Sequence, residues 1–195
     1  MKQAKVLTQA EIKRLLKVVS TTKHASRNRL MVMLSFMAGL RACEIAALKV
    51  GDVINELKDS GWEVKSEVVL KSSQTKGNKA QTVVLSSTLL REIADYYSKN
   101  KLLVDMTDYL LISQKAGKFS SQTIQNLFRD LYAQAAITNA SSHSGRRTFI
   151  TTLSEKGISA RVIQALARHS SLATTQRYID VSVDKLRNAV EAVTF

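Results

Sequence analysis

The sequence predicts a mainly α-helical fold with a small antiparallel β-sheet. Apolar residues recur at helical spacing in several long stretches. One segment, from Trp62 to Leu85, changes instead to β-branched runs around a polar, Gly-containing turn. No internal repeat or low-complexity segment interrupts either pattern. At 195 residues the chain can bury one good core or two small ones, and it reads as a single domain over 1–195 with a short basic leader at 1–7.

The elements follow in order. Thr8-Gln9-Ala10-Glu11 is a capping box, in which the hydroxyl and the carboxylate satisfy free amides at a helix start. Ile12, Leu15, Leu16 and Val19 then give that helix one apolar face. A second helix is expected from about Ser26 to Ala38, rich in Leu, Met and Phe, with Gly39 supplying a left-handed residue at its end. Arg27, Asn28 and Arg29 at its start read as solvated. Arg41 opens a third, short helix through Ala47. By itself Arg41 is a surface arginine near a helix terminus. Glu44, three residues on, could hold its guanidinium in one orientation, while Cys43 and Ala46 read as core.

From Trp62, residues Val64 and Val68 to Leu70, then Thr82 to Leu85, read as strands flanking a turn near 71–80. A lysine at such a tip can reach a DNA groove, although turn lysines are usually just solvated, and Lys71, Lys76 and Lys79 all lie there. Residues 87–99 and 120–136 are helical, the latter with Ile124, Leu127, Phe128 and Leu131 on one face. Between them Tyr109 to Ile112 could form a short buried strand, and 115–118 is a basic turn. Val183, Leu186 and Val190 stripe a last helix within 181–195.

Charge bounds the function. Lys and Arg number 29 against 16 Asp and Glu, a net charge of +13, which calls for a polyanionic partner, nucleic acid before membrane surface. No apolar run nears the roughly 18 residues of a membrane span, and no secretory signal is visible, so a cytoplasmic protein without membrane contact is expected. One cysteine cannot form an internal disulfide, and neither zinc spacing nor a carboxylate pair for two-metal chemistry is present, so no metal and no cofactor are expected.

The stretch from His143 to Tyr178 concentrates reactive groups. It holds two of the chain's three histidines, His143 and His169, together with Arg146, Arg147, Arg168 and Tyr178. Each has a bland reading: His143 as a helix cap, the arginines as solvated charge, Tyr178 as a half-buried anchor. Together, cationic donors, two imidazoles and a phenol are the groups that attack a phosphodiester without a metal. Cationic donors neutralise the charge that builds on the phosphoryl oxygens, and a phenol, which in water ionises only near about pH 10, needs a base or a cationic surrounding to attack.

His143-x-x-Arg146, then His169-Ser-Ser-Leu-Ala-Thr-Thr-Gln-Arg-Tyr178, resembles the catalytic half of the tyrosine recombinases, the phage-integrase family. Gly39-Leu40-Arg41-Ala42-Cys43-Glu44 and Gln74-Thr75-Lys76-Gly77-Asn78-Lys79 match the family's upstream arginine and hairpin lysine. The resemblance spans nearly the whole chain. It implies the family's catalytic-domain fold and a site-specific recombinase, active in integration, excision or inversion, that cuts and rejoins DNA through a 3′-phosphotyrosyl link. The implied catalytic set is Arg41, Lys76, His143, Arg146, His169 and the nucleophile Tyr178. Glu44 would be supporting, with Lys79, Arg147 and Arg168 as DNA contacts. The implied partners are duplex DNA with specific recombination sites, further copies forming a homotetramer on paired sites, in which the 181–195 helix docks on a neighbour, and accessory DNA-bending proteins.

Three departures stand out. Arg147 occupies a position where the family commonly has His, Arg168 one where it commonly has Gly, and the usual amino-terminal DNA-binding domain is not in the sequence. Met1 followed by a basic leader is read as a natural short chain, similar in length to the fimbrial-type DNA invertases, over a cut-out domain. Two other functions compete. A non-catalytic DNA-binding regulator would share the charge and the helices, and a type IB topoisomerase would share the cations and the tyrosine; a covalent adduct on nicked DNA separates the first from a recombinase.

If the charge serves DNA, binding weakens steeply with salt. With about 6 phosphates neutralised, the slope of log K against log salt is expected near about −5. Fluorescence anisotropy across a salt series measures it, and a nearly flat response would assign the charge to another partner.

Overall fold

A computed structural model describes residues 3–58, 61–75, 77–100, 105–113 and 117–179, with 186, 187, 190, 191 and 193. The chain divides into two compact units, 1–149 and 150–195.

The first unit begins with α1 (Gln9–Ser20), started by the expected capping box: the Thr8 hydroxyl accepts from the Glu11 N–H and Glu11 Oε2 accepts from the Thr8 N–H at 3.0 Å. Leu15 and Val19 turn inward as the spacing requires. The preceding residues are not a loose leader. The Lys5 N–H donates to the Asn139 carbonyl, Leu7 is buried with its N–H on Thr148 Oγ1, and Lys5 Nζ pairs with Glu11, holding that carboxyl below its usual range.

Helix α2 (Ala25–Met37) is the central rod, buried along Leu30 to Ser35 and packed by α1 on one side. It ends at Gly39, whose φ of +60° is left-handed, and where a Cβ would lie 2.8 Å from the Phe149 ring. Only glycine fits both the turn and the contact. Then come α3 (Ala42–Ala47), α4 (Val50–Val53) and β1 (Ile54–Glu56).

β1 pairs antiparallel with β2 (Trp62–Val64), and β3 (Glu67–Leu70) pairs with β4 (Gln81–Val84), aligning Val68 with Val83. Among the described residues the β-structure is therefore two small antiparallel pairs, and Trp62 and Val64 belong to the first of them. β1 gave no sequence signal, because Ile54-Asn55-Glu56 has one apolar residue and no alternation. A 3-10 turn, Ser72–Gln74, follows β3.

Helices α5 (Ser87–Lys99) and α6 (Ser121–Gln134) are started by Ser86 and Ser120, whose hydroxyls accept N–H groups of Leu89 and Thr123. α5 packs on α2, and α6 on α1 and α3. Leu89, Ile93, Ile124, Phe128 and Leu131 join the core, each contributing about 1.5–3 kcal/mol. Residues 109–112 are not a strand. Leu110 and Leu111 are buried, but pairing is limited to isolated bridges, Lys49 with Tyr109 and Ile112 with Lys118. Of the expected basic turn, 115 and 116 lie outside the described residues.

α7 (Ser144–Glu155) starts in the first unit and ends in the second, where α8 (Ala160–Ala167) packs against α9 (Leu172–Gln176). Of the last apolar stripe, Val183 lies outside the described residues, and Leu186 and Val190 are exposed. Among the described residues no helix is long and apolar enough to cross a membrane.

One core group has no evident use for its polarity. Tyr132 stacks on Phe128 with ring centroids 5.9 Å apart, its hydroxyl has no hydrogen-bond partner among the described residues, and burial pushes its phenol well above the ordinary range. Tyr132→Phe is expected to leave stability unchanged or raise it by about 1 kcal/mol, since a buried unpartnered hydroxyl costs about that much. Urea unfolding measures this, and a loss above about 1 kcal/mol would show that the hydroxyl is satisfied.

Candidate functional site

Arg41 stands at the N-cap of α3, where Glu44 holds it twice. Glu44 Oε2 accepts from the Arg41 N–H at 2.9 Å, and Glu44 Oε1 accepts from Arg41 Nη1 at 2.6 Å. The carboxylate is fully buried, whereas the Arg41 side chain keeps 23% of its surface open. A carboxylate in a helix's first turn is also favoured by the helix dipole. These two bonds fix the Arg41 guanidinium relative to the start of α3. Cys43, expected in the core, is only half-buried, because it lies at the wall of a groove with Lys118 and Phe119.

Arg146, in the first turn of α7, is 6% exposed, and its Nη1 donates to the Gly39 carbonyl at 2.7 Å. This bond spans a sequence separation of 107 and lands two residues before Arg41. The seat is tight: a Cβ on Gly145 would fall 2.3 Å from Ser35 Oγ, so α7 meets α2 backbone-close only because Gly145 has none. His143 immediately precedes α7, exposed, with its carbonyl accepting from the Arg147 N–H at 2.9 Å and its N–H on Ser141 Oγ. Arg147 Nη1 donates to the Ala4 carbonyl at 2.7 Å, which ties the amino-terminal segment to α7.

Lys76 lies outside the described residues. Its neighbours are fixed: Thr75 is buried, and its hydroxyl donates to the Lys79 carbonyl at 2.9 Å, while the Lys79 side chain is exposed.

In the second unit the Ser159 hydroxyl starts α8. The helix ends on Arg168, left-handed at φ 56°, a conformation costing a non-glycine residue roughly 1–2 kcal/mol. Arg168 is 8% exposed, with Nη1 on the Leu166 carbonyl at 3.1 Å. His169 is clamped by Gln164, whose carbonyl accepts its N–H and whose Nε2 donates to its carbonyl. His169 Nδ1 and Thr175 Oγ1 lie 2.9 Å apart, and the ring stacks on Tyr178 at 5.8 Å between centroids and 22° between planes. Tyr178 is half-buried, one short turn past α9, with its N–H on the Thr175 carbonyl.

Within units, then, Arg146 meets the corner that bears Arg41 and Glu44, and Tyr178 meets His169. Sequence reasoning missed Thr175 and the Gly39 carbonyl. One is a threonine in a Thr-Thr pair and the other a main-chain atom, and neither carries a pattern. Among the described residues no three His, Cys, Asp or Glu side chains gather as a metal site requires.

Residues 5–185 match the family model described as the phage integrase family. The chain is 35% identical over 189 residues to the tyrosine recombinase XerA of Thermococcus kodakarensis, covering 96% of this chain and 62% of that protein. A crystal structure of XerA recombinase superposes with a TM-score of 0.76 at 27% identity, over 98% of this chain and 66% of that one. The Tn1549 transposon integrase in complex with circular intermediate DNA shares the fold, with a TM-score of 0.75 at 16% identity over 100% of this chain and 68% of that one. The chain thus spans about three fifths of the length of the curated relative, at 62%.

Thr175 is the testable addition. Should this chain cleave DNA with His169 in its site, Thr175→Val, which keeps the shape and removes the hydroxyl 2.9 Å from His169 Nδ1, is expected to slow cleavage about five- to tenfold, the equivalent of about 1 kcal/mol, with folding intact. Single-turnover cleavage measures it, and an unchanged rate would mean that packing alone orients the imidazole.

Proposed function

Because the chain belongs to the phage integrase family, we propose that it cuts and rejoins duplex DNA at specific sites, with Tyr178 forming a covalent 3′-phosphotyrosyl link. The observation that carries the reading is the buried 2.7 Å bond from Arg146 to the Gly39 carbonyl, which draws the second arginine of the motif to the corner bearing the first. The relative solved with circular intermediate DNA supports DNA as the partner.

In this reading Tyr178 Oη attacks the scissile phosphorus, and the new bond replaces that to the 5′ oxygen. His143 accepts the phenolic proton, and Lys76 gives a proton to the departing oxygen. Arg41, Arg146 and His169 donate to the non-bridging oxygens, where charge accumulates; such preorganised donors are worth about 3 kcal/mol each. Glu44 holds Arg41 without touching phosphate. Lys79 adds charge along the backbone, and Arg147 and Arg168 would add more on leaving their carbonyls. A 5′-hydroxyl from a partner duplex then reverses the step, and because the phosphoester bond is exchanged for another, no ATP is needed.

Four copies on two paired sites, aided by DNA-bending proteins, would complete the exchange in the cytoplasm, within one catalytic domain per chain. The exposed Leu186 and Val190, 56% and 71% open, suit a segment that docks on a neighbour.

Tyr178→Phe removes only the nucleophilic oxygen. It is expected to bind DNA with unchanged affinity and to form no covalent complex on a nicked suicide substrate. Adduct formed by the Phe variant would point to another nucleophile, and no adduct from the unaltered chain would favour a DNA-binding regulator.

A further inference from the structure

Three main-chain groups between residues 4 and 7 are spent on one target. The Ala4 carbonyl accepts from Arg147 Nη1 at 2.7 Å, the Lys5 N–H donates to the Asn139 carbonyl at 3.2 Å, and the Leu7 N–H donates to Thr148 Oγ1 at 3.0 Å. All three partners lie just before α7 or near its start. The segment is fixed elsewhere by the Leu7 side chain, which joins the core, and by Lys5 Nζ on Glu11 of α1. Thr148 is 4% exposed, and its hydroxyl is used both ways, since it also donates to the Ser144 carbonyl at 2.8 Å.

Four consecutive residues of α7 each meet something different. Gly145 lies against Ser35, Arg146 bonds the Gly39 carbonyl, Arg147 bonds the Ala4 carbonyl and Thr148 bonds the Leu7 N–H. A helix turns about 100° per residue, so four successive contacts go round it and oppose rolling about its axis. α2 and the corner after it supply the first two contacts, and residues 4–7 supply the last two. A side-chain tip stands about 6 Å from a helix axis, so a roll of about 10° carries it about 1 Å. An error of that size in a reacting geometry costs up to about a hundredfold in rate. The bond from Arg146 to Gly39 is a single point and cannot by itself stop a roll.

We propose that residues 4–7 are a strap that keeps α7 from rolling, and that Thr148, through its bond to Leu7, is a positioning residue for the Arg146 guanidinium. The proposal rests on the reading of Arg146 as a donor to the non-bridging oxygens of the scissile phosphate. Thr148 carries the role because it has no charge to spend on DNA, so its bond to Leu7 holds even when Arg147 trades the Ala4 carbonyl for a phosphate. The strap makes and breaks no bond in the reaction. It acts only on where Arg146 already stands.

The test uses the full chain and two nicked DNA substrates at saturating concentration. One carries the ordinary scissile phosphate, and the other a methylphosphonate there, in which a methyl group replaces one non-bridging oxygen and removes the charge. Thr148→Val, which loses the hydroxyl, and Thr148→Ser, which keeps it, are compared with Arg146→Ala, with DNA affinity and thermal unfolding measured on each. Thr148→Val is expected to keep its DNA affinity and to cleave ordinary DNA about tenfold more slowly, against about a hundredfold or more for Arg146→Ala. Thr148→Ser should cleave within about twofold of the unaltered chain, because the bond to Leu7 is restored. On the neutral substrate less charge waits for a donor, so both losses should shrink, that of Thr148→Val to under about threefold. Thr148→Val at full speed on ordinary DNA, or equally slow on both substrates, would overturn the strap, and with Arg146→Ala rescued by the neutral phosphate it would overturn the strap alone. Arg146→Ala equally slow on both substrates would instead overturn Arg146 as the donor. Should Thr148→Val fail to fold, the same comparison is made with Lys5→Pro, which loses the bond to Asn139, against Lys5→Ala, which loses only the ion pair to Glu11.

Discussion

The hydrogen bond from Arg146 to the Gly39 carbonyl is the constraint on which the first unit's site depends. An arginine that is 6% exposed must spend its donors on fixed acceptors, and a main-chain carbonyl is the least mobile acceptor a fold can offer. That carbonyl points the right way because Gly39 adopts φ +60°, and Phe149 can close over it because there is no Cβ to meet. Gly145 does the same for the approach of α7 to Ser35. Two glycines, over a hundred residues apart, therefore set where the guanidinium stands, and the helices between them are the frame that keeps the two ends together.

Much of this was legible in the sequence where local chemistry decides the outcome. The Thr8–Glu11 capping box, the stripes of α1, α5 and α6, and the left-handed Gly39 depend on residues within one turn of each other, so spacing reveals them. Illegible features were those made by distant partners. β1 exists because Trp62 to Val64 pair with it, and Tyr109 to Ile112 stay out of a strand because Lys49 and Lys118 each bridge them at a single point. Residues 4–7 look like a leader until Asn139, Thr148 and Arg147 are seen to hold them. The Arg41–Glu44 pair was readable from a spacing of three, whereas the bond from Arg146 to the Gly39 carbonyl spans 107 residues and the His169–Thr175 contact, though local, lies on no recognised spacing.

The two extra arginines show how a departure from a family pattern can carry a local cost. Arg168 sits where a left-handed residue ends α8, which gives a physical reason for glycine at that position, and it holds the Leu166 carbonyl while buried. Arg147 is committed to Ala4. Neither guanidinium is simply surface charge. A backbone carbonyl is a neutral acceptor, so each arginine keeps its full charge and contributes to the field of a chain already at +13.

A buried carboxylate beside an arginine proposed to meet a polyanion looks self-defeating until its geometry is considered. Both Glu44 oxygens are occupied by Arg41, one by the N–H and one by Nη1, and the group is fully buried. Its negative charge therefore faces its partner, and the attraction is short-range, whereas repulsion of a phosphate acts over a longer distance and is screened by solvent and salt. A guanidinium has five donors in a rigid fork, so engaging Nη1 fixes the plane and leaves another edge for an anion. Removing the carboxylate would leave Arg41 with more net charge but many orientations. For chemistry in which donors must already point where charge will appear, the fixed orientation matters more than the extra fraction of charge.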